Sequence, residues 1–179
     1  MAEPPRSGHG SDAGLLRTPP HSVEAEQAVL GGLLLDTRAW DHVADAVGPE
    51  DFYRPDHRLI FEAIGGIAAE GKPIDVVTVS ERLERHGQLV DAGGLAYVGT
   101  LARDTPTAAN VRAYAQIVRE RSLLRQLIRV SGEIAASAYG SEGRPATELV
   151  DEAERRVFEI AEQGRRSGSG FVPLRDILG

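Results

Sequence analysis

Apolar residues recur along this chain at intervals of three and four, the period of a helix with one buried face. The first stripe is Ala25, Val29, Leu30, Leu33 and Leu34, with Ser22 before it as N-cap and Glu24 and Glu26 in the first turn, where the helix dipole favours carboxylates. A second helix, capped by Asp36 or Thr37, carries Trp40, Val43, Ala44 and Val47 and stops at Gly48-Pro49. The third opens at Pro55, carries Leu59, Ile60, Ala63, Ile64, Ile67 and Ala68, and ends at Gly71 with Pro73 just beyond. Val76-Val77-Thr78-Val79 has the composition of a strand, but Thr78 and Glu81 have capping-box spacing and Leu83 continues a helical stripe that Gly87 ends. This predicts a helix from Asp75 or Thr78. A short helix from Gly94 to Ala102 carries Leu95, Val98 and Leu101.

Thr105-Pro106 then opens a run to Tyr139 with no further proline and with Gly132 as its one glycine. That is about 33 residues, or on the order of 50 Å of helix. After Gly140-Ser141-Glu142-Gly143, Pro145 starts a partner helix reaching about Gln163, and so tight a turn predicts an antiparallel hairpin. Charge agrees with the pairing: Arg112, Arg119, Arg121, Arg125 and Arg129 outnumber Glu120 and Glu133 on the first helix. Glu148, Asp151, Glu152, Glu154, Glu159 and Glu162 outnumber Arg155 and Arg156 on the second. The expected seam is Val150, Ala153, Val157 and Ile160. Tyr114, Ile117, Val118, Leu124, Leu127, Ile128, Ile134 and Ala135 cover more than one stripe, so either the helical body or another molecule packs on the hairpin as well.

The predicted fold class is therefore all-α, a compact multi-helix globular body at 21–104 followed by a long antiparallel helical hairpin at 105–163. Residues 1–20, rich in Pro, Gly, Ser and Arg, are expected to be a disordered tail. Residues 164–179 are expected to form a Gly/Ser/Arg linker and the start of a further amphipathic helix bearing Phe171, Leu174, Ile177 and Leu178.

Composition narrows the function. The 179 residues hold 41% apolar but only 5% aromatic residues, which suits aliphatic helix packing, and the net charge of −7 disfavours a surface built for phosphate backbones. Absence of cysteine excludes a disulfide framework, a thiolate nucleophile and a cysteine zinc site. No apolar run approaches the roughly 20 residues of a membrane span and no signal peptide is evident, so a cytoplasmic protein is expected.

Catalytic signals are sparse. Gly66-Ile67-Ala68-Ala69-Glu70-Gly71-Lys72-Pro73 matches the start of a phosphate loop, but Pro73 stands where Ser or Thr must hold magnesium, and the segment ends a helix where a phosphate loop opens one. It reads as a glycine helix stop. The histidines at 9, 21, 42, 57 and 86 lack metal-ligand spacing, and Asp41-His42 and Asp56-His57 are neighbours whose side chains diverge on a helix. The carboxylates read as polar-face residues, without an isolated pair in apolar surroundings to tune a general acid and base. The expectation is a non-catalytic chain with no cofactor or metal of its own. A helical DNA-binding regulator is the alternative, with the arginine-rich long helix as its recognition element, although the acidic partner helix faces it.

Five stretches in order carry a family resemblance. Pro20-His21-Ser22-Val23-Glu24-Ala25-Glu26-Gln27-Ala28-Val29-Leu30-Gly31-Gly32 resembles the opening of bacterial DnaB-type replicative helicases. Asp51-Phe52-Tyr53-Arg54-Pro55-Asp56-His57-Arg58-Leu59-Ile60-Phe61-Glu62-Ala63-Ile64 and Pro73-Ile74-Asp75-Val76-Val77-Thr78-Val79 are similar to later parts of the same family. So are Gly93-Gly94 followed by Tyr97, and Thr105-Pro106-Thr107-Ala108-Ala109-Asn110. The likeness runs from Pro20 to about Gln163. The family's ATPase domain, with its phosphate loop, arginine finger and DNA-binding loops, has no counterpart here, so no catalytic residue is carried over.

The resemblance implies the N-terminal domain of an ATP-dependent 5'-3' helicase, with ATP and magnesium belonging to the motor domain. Six copies would form a collar, three dimers closed through paired hairpins, with Leu124, Leu127 and Val157 as tentative dimer contacts that could instead lie in the intramolecular seam. Primase, through its C-terminal domain, would dock where hairpin meets body, around Glu24, Tyr97, Tyr114, Ile128 and Ile134, of which all but Glu24 could alternatively be core. Phe171, Leu174, Ile177 and Leu178 would start a linker helix packing on the neighbouring subunit. A helicase loader is a further candidate partner, and neither a membrane nor extensive DNA contact is implied.

Overall fold

Ser22 starts the chain's first helix as expected, its Oγ accepting from the amide of Ala25 at 3.2 Å. The computed structural model describes residues 17–167, and among them there is no strand. Seven α-helices follow in order: α1 Val23–Leu35, α2 Trp40–Val43, α3 Pro55–Ala69, α4 Val76–Arg85, α5 Gly94–Asp104, α6 Val111–Tyr139 and α7 Ala146–Ser167. The first five and the start of α6 make the body, and α6 and α7 make the hairpin, so the all-α body-plus-hairpin class holds.

The run Val29-Leu30-Gly31-Gly32-Leu33-Leu34 is buried throughout, which places α1 at the centre with α3, α5 and α6 packed around it. Gly31 permits one of these contacts. A Cβ there would stand 1.9 Å from Thr105 Oγ1 and 2.3 Å from the Leu101 carbonyl oxygen, whereas one on Gly32 would meet Val111 Cγ2 at 3.1 Å. A backbone carbonyl cannot swing aside, so Gly31→Ala is expected to push α5 off α1 at a cost of about 3 kcal/mol, against under ~1 for Gly32→Ala. Thermal melting of the two variants checks this, and equal losses would mean that the backbone approach at Gly31 is not tight.

Where the local signals are strong the helices keep their expected ends. Gly71, at φ +64, stops α3, and the Lys72 amide donates back to the Ile67 carbonyl. Asp75 caps α4 in a reciprocal box with Thr78, so the helix starts from Asp75 and the Thr78–Glu81 pair is not the box. The expected second helix is shorter. Asp36 accepts from the Arg38 amide and turns Thr37–Ala39 into a 3-10 segment, α2 is a single turn, and Ala44 is exposed while Val43 and Val47 remain in the core. In α5, Val98 and Leu101 are buried but Leu95 is 57% exposed.

The long helix begins six residues later than expected. Thr105 turns its hydroxyl onto the Leu101 carbonyl and Thr107 Oγ1 accepts from the Ala109 amide, so 105–110 is a connecting loop and Asn110 precedes the helix. The far helix runs past Gly164 to Ser167, so the linker does not start at 164. The hairpin turns through Glu142 and Gly143, both at positive φ, and its helices are antiparallel, since Arg119 meets Gln163 near one end and Glu133 meets Arg156 toward the other.

Its seam differs from the expected one. Ala153 and Ile160 are half-buried, together with Leu149, Arg156 and Gly164, but Val150 and Val157 are exposed. Charge pairs the helices the other way round as well: the ion pair that crosses the hairpin among the described residues joins Arg156 of the acidic helix to Glu133 of the basic one. Phe171, Leu174, Ile177, Leu178 and residues 1–16, for which a linker helix and a tail are expected, lie outside the described residues.

Candidate functional site

Three features could carry function: an uncovered apolar face on the hairpin, a cleft between body and hairpin root, and a set of buried charges between them. Ile117, Leu124 and Ile128 recur on α6 at spacings of seven and four, which puts them on one stripe, and all three are exposed. Leu127 lies beside them, while Val150, Val157 and Phe158 are exposed on α7. Val118 is buried in the body and Tyr114 packs against its core. The body thus covers the first turns of α6; beyond them Val130 is buried and Ile134 half-buried, while Leu124, Leu127 and Ile128 stay open.

Of the expected primase contacts, Glu24 and Tyr114 come together. They line a cleft of about 190 Å³ with Gln27, Ala28, Leu101 and the Asp104–Thr107 segment. Tyr97 is held beside them through Gln27, whose Nε2 donates to the Tyr97 hydroxyl at 3.3 Å. Ile134 stands 20 residues beyond Tyr114 on the same helix, which at 1.5 Å per residue is about 30 Å away. Ile128 and Ile134 therefore do not form one compact patch with Glu24, Tyr97 and Tyr114 on a single chain. Ile128 is 60% exposed, so it is not core, and Ile134 is half-buried.

The expectation that carboxylates stay on polar faces is wrong for two of them. Glu26, in α1, is 2% exposed and accepts from the Tyr53 amide at 2.6 Å and the Arg54 amide at 3.4 Å. His57, in α3, is fully buried, with Nδ1 2.6 Å from Glu26 Oε2 and Nε2 2.7 Å from the Tyr97 hydroxyl. With both Glu26 oxygens placed to accept from backbone amides, Nδ1 is the donor of this pair. The Asp56-His57 pair does diverge, but His57 turns inward to a partner 31 residues away. Both residues share a legible signal: Glu26 is in register with Val29, Leu30 and Leu33, and His57 with Ile60, Phe61 and Ile64. A charge at the head of each apolar stripe marks a pair meeting in the core.

Asp51 is the second buried carboxylate, at 1% exposure. Its Oδ1 accepts from Arg119 Nη1 at 2.7 Å and Ser122 Oγ at 2.6 Å, and its Oδ2 from the Gly48 amide at 2.8 Å. One turn further along α6, Arg125 donates to the carbonyls of Pro20, at 2.7 Å, and of Asp51. Its guanidinium lies over the ring of Tyr53, which stacks on His21. Burial pulls the pKa of Arg125 below its ordinary value. Arg129 pairs with Glu133. Three of the five arginines that make α6 look like a DNA recognition helix are thus held within the chain.

Lys72 sits in the turn after α3 and donates to Glu70, whose carboxyl is held down to about 2 by Lys72 and Arg82. The glycine stop is what the structure places there. Among the described residues, no three His, Asp or Glu side chains cluster to hold a metal and no helix is long and apolar enough to cross a membrane.

Comparison with known proteins gives one consistent answer. A family model described as the DnaB-like helicase N terminal domain matches residues 18–120. The replicative DNA helicase DnaB of Pasteurella multocida is 43% identical over 160 residues, which are 89% of this chain and 34% of that protein. The chain spans about a third of the length of the curated relatives it matches. Among solved structures, the N-terminal domain of DnaB helicase from Mycobacterium tuberculosis is 41% identical with a TM-score of 0.75, over 79% of this chain and 99% of that one. The N-terminal domain of DnaB helicase from Helicobacter pylori, described together with its interactions with primase, shares the fold at 24% identity and a TM-score of 0.56, over 64% of this chain and 89% of that one.

Proposed function

Because the chain belongs to the family of DnaB-like helicase N-terminal domains, we propose that it is the non-catalytic collar element of a hexameric replicative helicase, which joins subunits and receives primase. The observation that carries this reading is the uncovered apolar face of the hairpin. Ile117, Leu124, Leu127 and Ile128 on α6, and Val150, Val157 and Phe158 on α7, are large apolar side chains open to water. A helix that needed only its own chain to bury it would place polar residues there. Two-fold pairing of hairpins is the simplest closure, since it sets the same face against itself, and three such pairs make a ring of six. The Helicobacter pylori relative's interactions with primase support the second half of the proposal. In an assembly, the cleft at Glu24 and Tyr114 on one subunit and Ile128 and Ile134 on another can contribute to one primase site, which removes the difficulty of their separation within a chain. On the same reading ATP and magnesium belong to the motor domain of the full helicase, and the apolar residues Phe171, Leu174, Ile177 and Leu178 serve contact with the neighbouring subunit.

Sedimentation equilibrium of the chain from micromolar to about 100 μM, repeated with a primase C-terminal domain, tests both halves. A dimer or larger species, and a heavier complex with primase, are the expected results. A chain that stays monomeric across the range and ignores primase overturns the reading.

A further inference from the structure

The hairpin reaches well beyond the body, so small movements at its root grow toward its tip. Apolar packing at Val111, Ala115 and Val118 anchors the start of α6. That base spans seven residues, or about 10 Å, while Tyr139 at the far end of α6 lies 21 residues or about 31 Å beyond it. An ångström of play across such a base becomes about three at the tip. Extending the anchored base to Arg125 makes it about 21 Å long and leaves a free arm of about 21 Å, which brings the ratio to roughly one.

We infer that the polar junction of Asp51 and Arg125 with Arg119, Ser122 and the Pro20 carbonyl positions the hairpin, and so decides where its apolar rows point. Apolar contacts resist separation but are not directional, and a helix can slide and roll on them. The junction acts differently. Arg119, Ser122 and Arg125 lie at i, i+3 and i+6 on one face of α6; the first two bond to the Asp51 carboxylate and the third to the carbonyls of Asp51 and Pro20. Asp51 is itself tied to the Gly48 amide, and Tyr53, whose ring stacks on His21 and meets the Arg125 guanidinium, donates its amide to Glu26 of the central helix. The grip therefore passes to α1 and does not end on a loose loop. Arg125 and Asp51 are positioning residues in this account, which deepens the collar proposal by naming what orients its contact surface.

The chain has no cysteine, so a pair of spin labels can be placed without background. Labels at Tyr139→Cys on the hairpin tip and Glu62→Cys on α3, with labelled chains diluted in unlabelled chain, report the hairpin angle as a distance distribution. In the parent a single narrow distribution is expected. Arg125→Ala should widen it at least twofold, with helicity and the near-ultraviolet signal of Trp40 retained as a check on the body. Arg125→Lys, which keeps the charge but cannot bridge two carbonyls as a fork, should lie between, and Asp51→Asn should broaden it as well. If Arg125→Ala unfolds, Arg125→Lys and Asp51→Asn carry the decision. Parent-like distributions in the folded variants would overturn the inference and leave α1–α6 packing as the sole determinant of angle. The measurement needs no partner, so its failure would leave the collar reading standing.

Discussion

Replacement of Glu26 by alanine is expected to lower the melting temperature by roughly 10 °C, because it breaks a buried pair and strands its partners. The carboxylate serves the Tyr53 amide, the Arg54 amide and His57 Nδ1 at a place 2% open to solvent. Removing one member of a buried ion or hydrogen-bonded pair costs about 3 to 5 kcal/mol, and each kcal/mol is worth about 2 to 4 °C in a domain of this length. Glu26→Gln keeps an acceptor and the shape of the side chain, so its loss should be about a third as large. His57→Ala should approach the loss in Glu26→Ala, since it leaves the carboxylate short of a donor and opens a void beside Tyr97. The double alanine variant should lose less than the sum, because the two residues act as one unit. Thermal melts of the four variants decide the matter, and a Glu26→Ala chain melting within about 2 °C of the parent would show that the pair is not a structural element of the core.

Leu127→Asp is expected to weaken self-association at least a hundredfold while leaving the fold almost untouched. Leu127 is 44% exposed in the single chain and so is Val157, so much of each side chain is open to water before any pairing. A charge at either is therefore tolerated by the monomer, and the melting temperature at low concentration should stay within about 3 °C of the parent. In a two-fold pair the substitution acts twice. Covering the open part of each Leu127 contributes about 1 kcal/mol per copy, and leaving an unpaired carboxylate in an apolar contact costs at least ~1 more, so two copies account for about 3 kcal/mol or more, roughly two orders of magnitude in the dissociation constant. Val157→Asp should act in the same direction. Sedimentation equilibrium read together with circular dichroism separates the outcomes: lost helicity would put the residue back in the internal seam, and undiminished association would remove this face from the interface.

Local chemistry explains what could be read in advance. Ser22, Pro55, Gly71 and the Gly140–Gly143 turn act on their immediate neighbours, through a hydroxyl that meets an amide three residues on, a ring that fixes one torsion, or a backbone that enters positive φ. The helices they bound were legible for that reason. Local chemistry also misleads where two signals compete. Thr105-Pro106 looks like a helix start, yet the two threonines of this segment satisfy loop backbone instead, and the helix waits for Val111.

By itself, then, the amino-acid sequence determined the all-α class, most helix ends, the hairpin and, through motifs in register from Pro20 to Asn110, the family. Each is set by neighbours within a turn or two, or by a pattern of residues that needs no coordinates. Tertiary structure decided which charges lie inside and which apolar residues lie outside. Glu26 meets His57 across 31 residues and Asp51 meets Ser122 across 71; periodicity places Glu26 and His57 on apolar stripes, but only the closed chain brings each carboxylate to its partner. Val150 and Val157 fit a seam by period, but a helix has more than one apolar stripe, and only the rotation of α7 about its axis selects the one that turns inward. That rotation leaves the other stripe to water, and the physical content of the proposed interface is that uncovered surface.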